Sequence, residues 1–201
     1  MQVNARSDIG RTTKAFENFG EMQSIKGIRD APDNLGQWPD LPPDAGFEEK
    51  LEGTNPNYEL GVEWQINCQR CVPTFEMRLR GYDVTAQPCF NEWDDDLPYF
   101  PFEVWENADV KQCPFGDGKR DIEAQMSEWG DGARAQITVL WEGGGGHTFT
   151  AIQENGVTKF IDPQTGEVDA SGHFDYVRAG KTEFCRIDNL QPSEKMLKCC
   201  E

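Results

Sequence analysis

Two cysteines three residues apart open the stretch NCQRCVPTFEMRLRGYDV, Asn67 to Val84, and the chain's two histidines lie far downstream at 147 and 173. Cys68 and Cys71 could form a metal knuckle, a redox couple, a reactive thiolate with its base, or a pair of buried structural thiols. Zinc would call for a second Cys-x-x-Cys or a His pair at ligand spacing, and the other close pair, Cys199-Cys200, has the wrong geometry for a knuckle. A thioredoxin-type couple would follow a buried strand, and the preceding ELGVEWQIN is too polar for one. Buried structural cysteine is the usual fate of a free thiol. What favours a reactive thiolate is a suitable base.

His147 is that base. Asn155-Gly156 is a strong two-residue hairpin signal between two apolar, β-branched runs, and with these two as the loop, facing residues sum to 311. Phe149 then faces Asp162. His147 shares the Phe149 side of the sheet, so His147 and Asp162 are diagonal neighbours with Cα atoms ~7 to 8 Å apart. The spacing therefore predicts a His147-Asp162 hydrogen bond, which fixes the tautomer and favours the protonated ring. A cysteine at a helix start beside such a ring has its thiolate stabilised twice, by the helix dipole and by the imidazolium. His173, in the polar run ASGHFDY, has no patterned partner and reads as a loop residue.

These groups need a helix and a sheet to position them. At 100° per residue, Cys68, Val72, Phe75 and Leu79 form one stripe, while Gln69, Arg70, Thr74 and Arg78 fall off it. This predicts an amphipathic helix with Arg78 and Arg80 in its last turn and Gly81 ending it. YDVTA alternates as a strand would, with Tyr82, Val84 and Ala86 on one side. Gln136 to Trp141 is a further strand, joined by the glycines Gly143 to Gly146 to the hairpin strands His147 to Gln153 and Val157 to Asp162.

Here the residues resemble a known family. NCQRCVPTFEMRLRGYDV followed by GHTFTAI and FIDPQTG is similar to the papain-fold toxin domains of bacterial polymorphic and phage-associated toxins, including protein-glutamine deamidases, over roughly residues 56 to 190. The resemblance implies an α+β, papain-like fold, in which a central helix carrying the nucleophile packs on an antiparallel sheet carrying His and Asp. It implies Cys68 as nucleophile, His147 as general base and acid, and Asp162 as orienter. Asn67, or backbone N–H groups at the helix start, would form the oxyanion hole, with Gln164 beside the site. Cys71 stands as the alternative nucleophile. Gln65 is six residues before it, where papain-type proteases keep an oxyanion glutamine, and Pro73 is best tolerated if the helix starts near Cys71. The family motif anchors on Asn-Cys and Cys68 centres the stripe, which favours Cys68.

The implied activity is a cysteine-dependent amide hydrolase that deamidates glutamine side chains of a target protein, with no cofactor and no metal. The alternatives are a peptidase or transglutaminase at the same thiolate, or a non-catalytic phage or secreted interaction module. A toxin of this kind implies a cognate immunity protein and delivery into a target-cell cytoplasm.

The rest of the chain bounds these readings. Its 201 residues carry 19 Lys and Arg against 36 Asp and Glu, a net charge of −17 that opposes binding to nucleic acid or anionic membranes and favours a basic partner. No run approaches the ~18 apolar residues of a membrane span, and MQVNARSDIGR lacks the apolar core of a signal peptide. Asp94 to Asp96 lacks the spaced ligands of a calcium loop and reads as solvated. Seven cysteines, an odd number, do not read as a disulfide framework. Residues 1–55 read as a lead-in, a helix from Thr12 to Lys26 and then a Pro-rich wrapping segment, with the catalytic domain over 56–201.

Overall fold

A five-stranded antiparallel sheet and two principal helices make up the framework of the computed structural model, which describes residues 38–90, 97 and 99–201. The expected helix Thr12 to Lys26 and the acidic run Asp94 to Asp96 lie outside those residues. In chain order the elements are α1 (Phe47–Glu52), α2 (Cys68–Leu79), β1 (Lys111–Cys113), α3 (Lys119–Trp129), β2 (Arg134–Trp141), β3 (Gly146–Glu154), β4 (Val157–Ile161) and β5 (Val177–Arg186). The strands lie in the order β1-β5-β2-β3-β4. This is an α+β arrangement.

The β3-β4 hairpin has the expected register, with Glu154 opposite Val157 and Thr150 opposite Ile161. Asn155 and Gly156 both take positive φ, 52° and 76°, the left-handed pair whose twist matches that of the flanking strands. Pairing with β4 stops at Thr150, so β3 from Phe149 back to His147 has no β4 neighbour. Its other side is bonded to β2 throughout, down to Val139 opposite His147 and Leu140 opposite Gly146.

Successive strand residues face opposite sides, and the core divides accordingly. Ile122 and Met126 of α3 cluster with Phe149, Ala151 and Phe160 on one face. Phe75 of α2 joins Ile152 and Ile161 on the other, together with Phe47 and Leu51 of α1. Phe47 meets Phe75 edge to face, with ring centroids 5.7 Å apart, so the stretch before residue 56 contributes to the packing of α2. A third cluster, including Val72, Met77, Val84, Trp105, Ile187 and Met196, closes over the remaining side of α2.

That enclosure changes the expected character of α2. It is not a surface helix with one apolar stripe, because Gln69, Thr74, Glu76 and Arg78 are buried as fully as Val72 and Phe75. Elements wrap it on all sides, so its polar positions must find partners inside the protein. Pro73 lies inside the helix and lacks the N–H that would reach the Gln69 carbonyl. The helix ends as expected, with Arg80 at its cap and Gly81 at φ 102°. Tyr82 to Ala86 is extended but joins no sheet. It makes isolated bridges, Asp40 to Tyr82 and Ala86 to Cys200, because the neighbouring chain is irregular and cannot continue a ladder.

Candidate active site

Asn67, immediately before α2, takes φ −103° and ψ 21°, and Cys68 is the first helical residue. The N–H groups of Arg70 and Cys71 both bond to the Asn67 carbonyl. Those of Cys68 and Gln69 have no partner among the described residues, as expected of the first N–H groups of a helix. Cys68 is half-buried, whereas Cys71, one turn on, is fully buried.

The two cysteines differ in environment as well as exposure. Cys71 Sγ donates to Asn67 Oδ1 at 3.3 Å. Burial above all, then the neighbouring Cys68 and Asp162, push its thiol well above the ordinary range. Cys68 acts on the His147 ring and helps to raise its pKa, and its Sγ lies 3.6 Å from Gln69 Oε1. Cys68 is half-buried at the tip of the helix, while Cys71 points into the amide cluster beneath it.

His147 Nε2 lies 2.9 Å from Asp162 Oδ2, the hydrogen bond that the hairpin register predicts. Burial alone would lower the pKa of the ring. The bond to Asp162 and then the effect of Cys68 outweigh it and raise the value to about 10. Asp162 is buried, which would raise its carboxyl, but hydrogen bonds from His147, His173 and the Gln164 N–H hold it far below the usual range. Trp141 stacks on His147 with centroids 5.8 Å apart and shields one face of the ring.

Asn67 sits at the centre of a cluster of neutral amides. Its Nδ2 donates to Asn55 Oδ1 and to the Gln87 carbonyl, both at 3.1 Å, which takes both amide protons. Its Oδ1 accepts from Gln164 Nε2 at 3.1 Å. Asn55 in turn donates to the Trp64 and Gln164 carbonyls. The Asn67 and Gln164 side chains thus tie the helix start to the Asp162 turn. Gln65 is exposed and donates to the Tyr58 carbonyl at 3.2 Å.

His173 is not the isolated loop residue that its surroundings in the sequence suggest. The 3₁₀ turn Ala170–Tyr176 brings its Nε2 to 3.2 Å from Asp162 Oδ2, the same oxygen that His147 uses. No periodic signal could have found it, because the turn between β4 and β5 is irregular. His147, Asp162 and His173 offer ligand atoms within 4.8 Å of one another, a set that a divalent cation could occupy by displacing the proton shared between His147 and Asp162.

The family model for papain fold toxin 1, glutamine deamidase, matches residues 66–167, from the residue before Asn67 to just past the Asp162 turn. The chain belongs to this family. Neither the curated proteins nor the solved structures yield a match. The family is described as one of papain-fold glutamine deamidase toxins, and the matched span holds Cys68, His147 and Asp162. No helix among the described residues is long and apolar enough to cross a membrane.

Proposed function

We propose that this protein is a toxin that deamidates glutamine side chains of a target protein through Cys68, His147 and Asp162. The observation that carries the reading is the 2.9 Å hydrogen bond between His147 and Asp162, with Cys68 acting on the same ring, within a member of a glutamine deamidase family. The ring is held protonated at neutral pH, and Cys68 attacks as its thiolate. The thiolate attacks the carboxamide carbon and the C=O electrons move to oxygen. The free N–H groups of Cys68 and Gln69 face the helix start, where they serve as donors to that oxyanion. Asn67 is the brace beneath them, since its own amide protons are taken.

Collapse of the tetrahedral species expels ammonia, which receives its proton from His147, and leaves a thioester on Cys68. His147, now neutral, takes a proton from water as the water attacks the thioester. Glutamate leaves and the thiolate-imidazolium pair is restored. Asp162 holds the ring in the tautomer that keeps its other nitrogen turned to Cys68. Cys71 takes no part, because its thiol is buried and engaged by Asn67.

The net charge of −17 favours a basic surface on the target, and the reading carries with it delivery into a target-cell cytoplasm and a cognate immunity protein that protects the producer. Incubating the protein with target-cell lysate and reading peptides by mass spectrometry tests the reaction. The expected result is a gain of about 1 Da at particular glutamines, the mass of an amide exchanged for an acid. It should be lost in Cys68→Ala and retained in Cys71→Ala. Chain cleavage in place of the mass gain would make the protein a peptidase, and activity surviving Cys68→Ala would remove the proposed nucleophile.

A further inference from the structure

Asp162 is shared. Its Oδ2 receives His147 Nε2 at 2.9 Å and His173 Nε2 at 3.2 Å, while Oδ1 receives the Gln164 N–H at 2.9 Å. The two imidazoles meet edge to face with centroids 5.2 Å apart, and Phe149 and Trp141 each pack edge to face against His173, at 5.4 and 5.9 Å. His173 thus has a fixed ring plane, and its donor is aimed at a buried carboxylate. We propose that His173 is a positioning residue for the reaction, a second imidazole that locks the Asp162 carboxylate in the rotamer that orients His147.

The inference rests on the proposed roles of Cys68, His147 and Asp162, but His173 itself lies beyond the span, 66–167, that the family model matches. The physical need for it follows from the carboxylate. Asp162 directly follows the last residue of β4, and its backbone N–H is already engaged with the Glu167 carbonyl in the turn. With the Gln164 N–H on Oδ1 alone, the carboxylate could still swing about that contact and lengthen the bond to His147. A donor from a third element on Oδ2 removes this freedom, since hydrogen bonds from two sides define the plane of the group. The titratable groups facing His173 are Asp162, His147 and Glu167, the last at 3.9 Å. Because both rings use Nε2 toward a carboxylate, both carry a proton there. That leaves His147 Nδ1 as the nitrogen that exchanges a proton with Cys68.

The experiment reads the thiolate-imidazolium pair without any substrate. The rate of Cys68 alkylation by iodoacetamide is followed by peptide mass between about pH 4 and 9 in wild type, His173→Gln and His173→Phe. Glutamine keeps an N–H donor near the Nε2 position, whereas phenylalanine keeps the aromatic packing and removes the donor. The expected result for His173→Phe is an acid-side midpoint raised by roughly half to one pH unit, with alkylation near pH ~5 slowed about three- to tenfold. His173→Gln should stay within about twofold of wild type, and kcat for ammonia release should fall in His173→Phe with KM unchanged. A wild-type alkylation profile in His173→Phe overturns the proposal, and so does a His173→Gln profile as impaired as that of His173→Phe, which would make ring shape the cause. A protein that shows the shift but deamidates nothing leaves His173 in its role and counts against the proposed reaction instead.

Discussion

The two ends of α2 are held in opposite ways. At its start, the side chains of Asn67, Asn55 and Gln164 form a neutral network of amides and carbonyls that also accepts the Cys71 thiol. At its end, Glu76 is buried between two guanidinium groups, bonded to Arg134 through both oxygens at 2.6 and 2.8 Å and to Arg80 at 2.8 Å. Arg80 continues to the Ile187 and Leu190 carbonyls, and the Arg134 N–H reaches Asp188. Burial would raise the Glu76 carboxyl, but Arg134 and Arg80 hold it below its usual value. Neutral amides thus brace the start of the helix, and the charged clamp sits about two turns along it from Cys68.

That contrast can be broken from the clamped end first. Glu76→Gln leaves Arg134 and Arg80 buried without a counter-charge and should destabilise the fold by about 3–5 kcal/mol, read by urea denaturation. Because the folded pKa of Glu76 is depressed, its contribution is full above the unfolded value near ~4.3 and is lost as the pH falls below it. The variant should lose that part of the acid sensitivity, and its surviving folded fraction should keep wild-type turnover.

At the reactive end, Asn67→Ala removes the acceptor of Gln164 and Cys71 and the donor to Asn55 and Gln87. A loss of about 1–3 kcal/mol is expected from the polar groups left unpaired. Unlike the Glu76 variant, it should also lower kcat, since the helix start and the Asp162 turn lose their tie.

The pH profile sharpens the comparison at the same end. A ring whose pKa is raised to about 10 in the fold stabilises it fully below ~6.5, and the contribution fades as the pH rises through about 10. Turnover should share that alkaline limb, because a neutral His147 has no proton for the departing ammonia. In Asp162→Asn the limb should move down toward the ordinary histidine value, and an unmoved limb would assign it to another group.

The smallest effect is expected at Cys71→Ala, about 1 kcal/mol of stability with the alkylation of Cys68 unchanged. A large loss of activity there would make the second cysteine more than a packing group.

Legibility followed the same division. The Asn155-Gly156 turn sets the hairpin register by local backbone twist alone, and with the register came the His147-Asp162 pair. The helix with its glycine end was equally local. The strand expected over Tyr82 to Ala86 did not form, because alternation marks an extended chain but does not supply a neighbour to pair with. Nor did spacing alone show that Cys71 is buried against Asn67, since that turns on which side of α2 meets other parts of the chain. His173 was missed for the same reason.

What the sequence determined by itself was therefore whatever depends on neighbours a few residues apart: helix period, turn chemistry and hairpin register. Tertiary structure alone decided that Glu76 finds Arg134 and that His173 arrives at Asp162. Those meetings join elements separated by 58 residues in the case of Glu76 and Arg134, and no short-range pattern records them. For Glu76 the cause is the burial of most of α2, which forces its polar groups to find partners wherever the fold brings one, and for His173 it is the irregular turn that carries it back to Asp162.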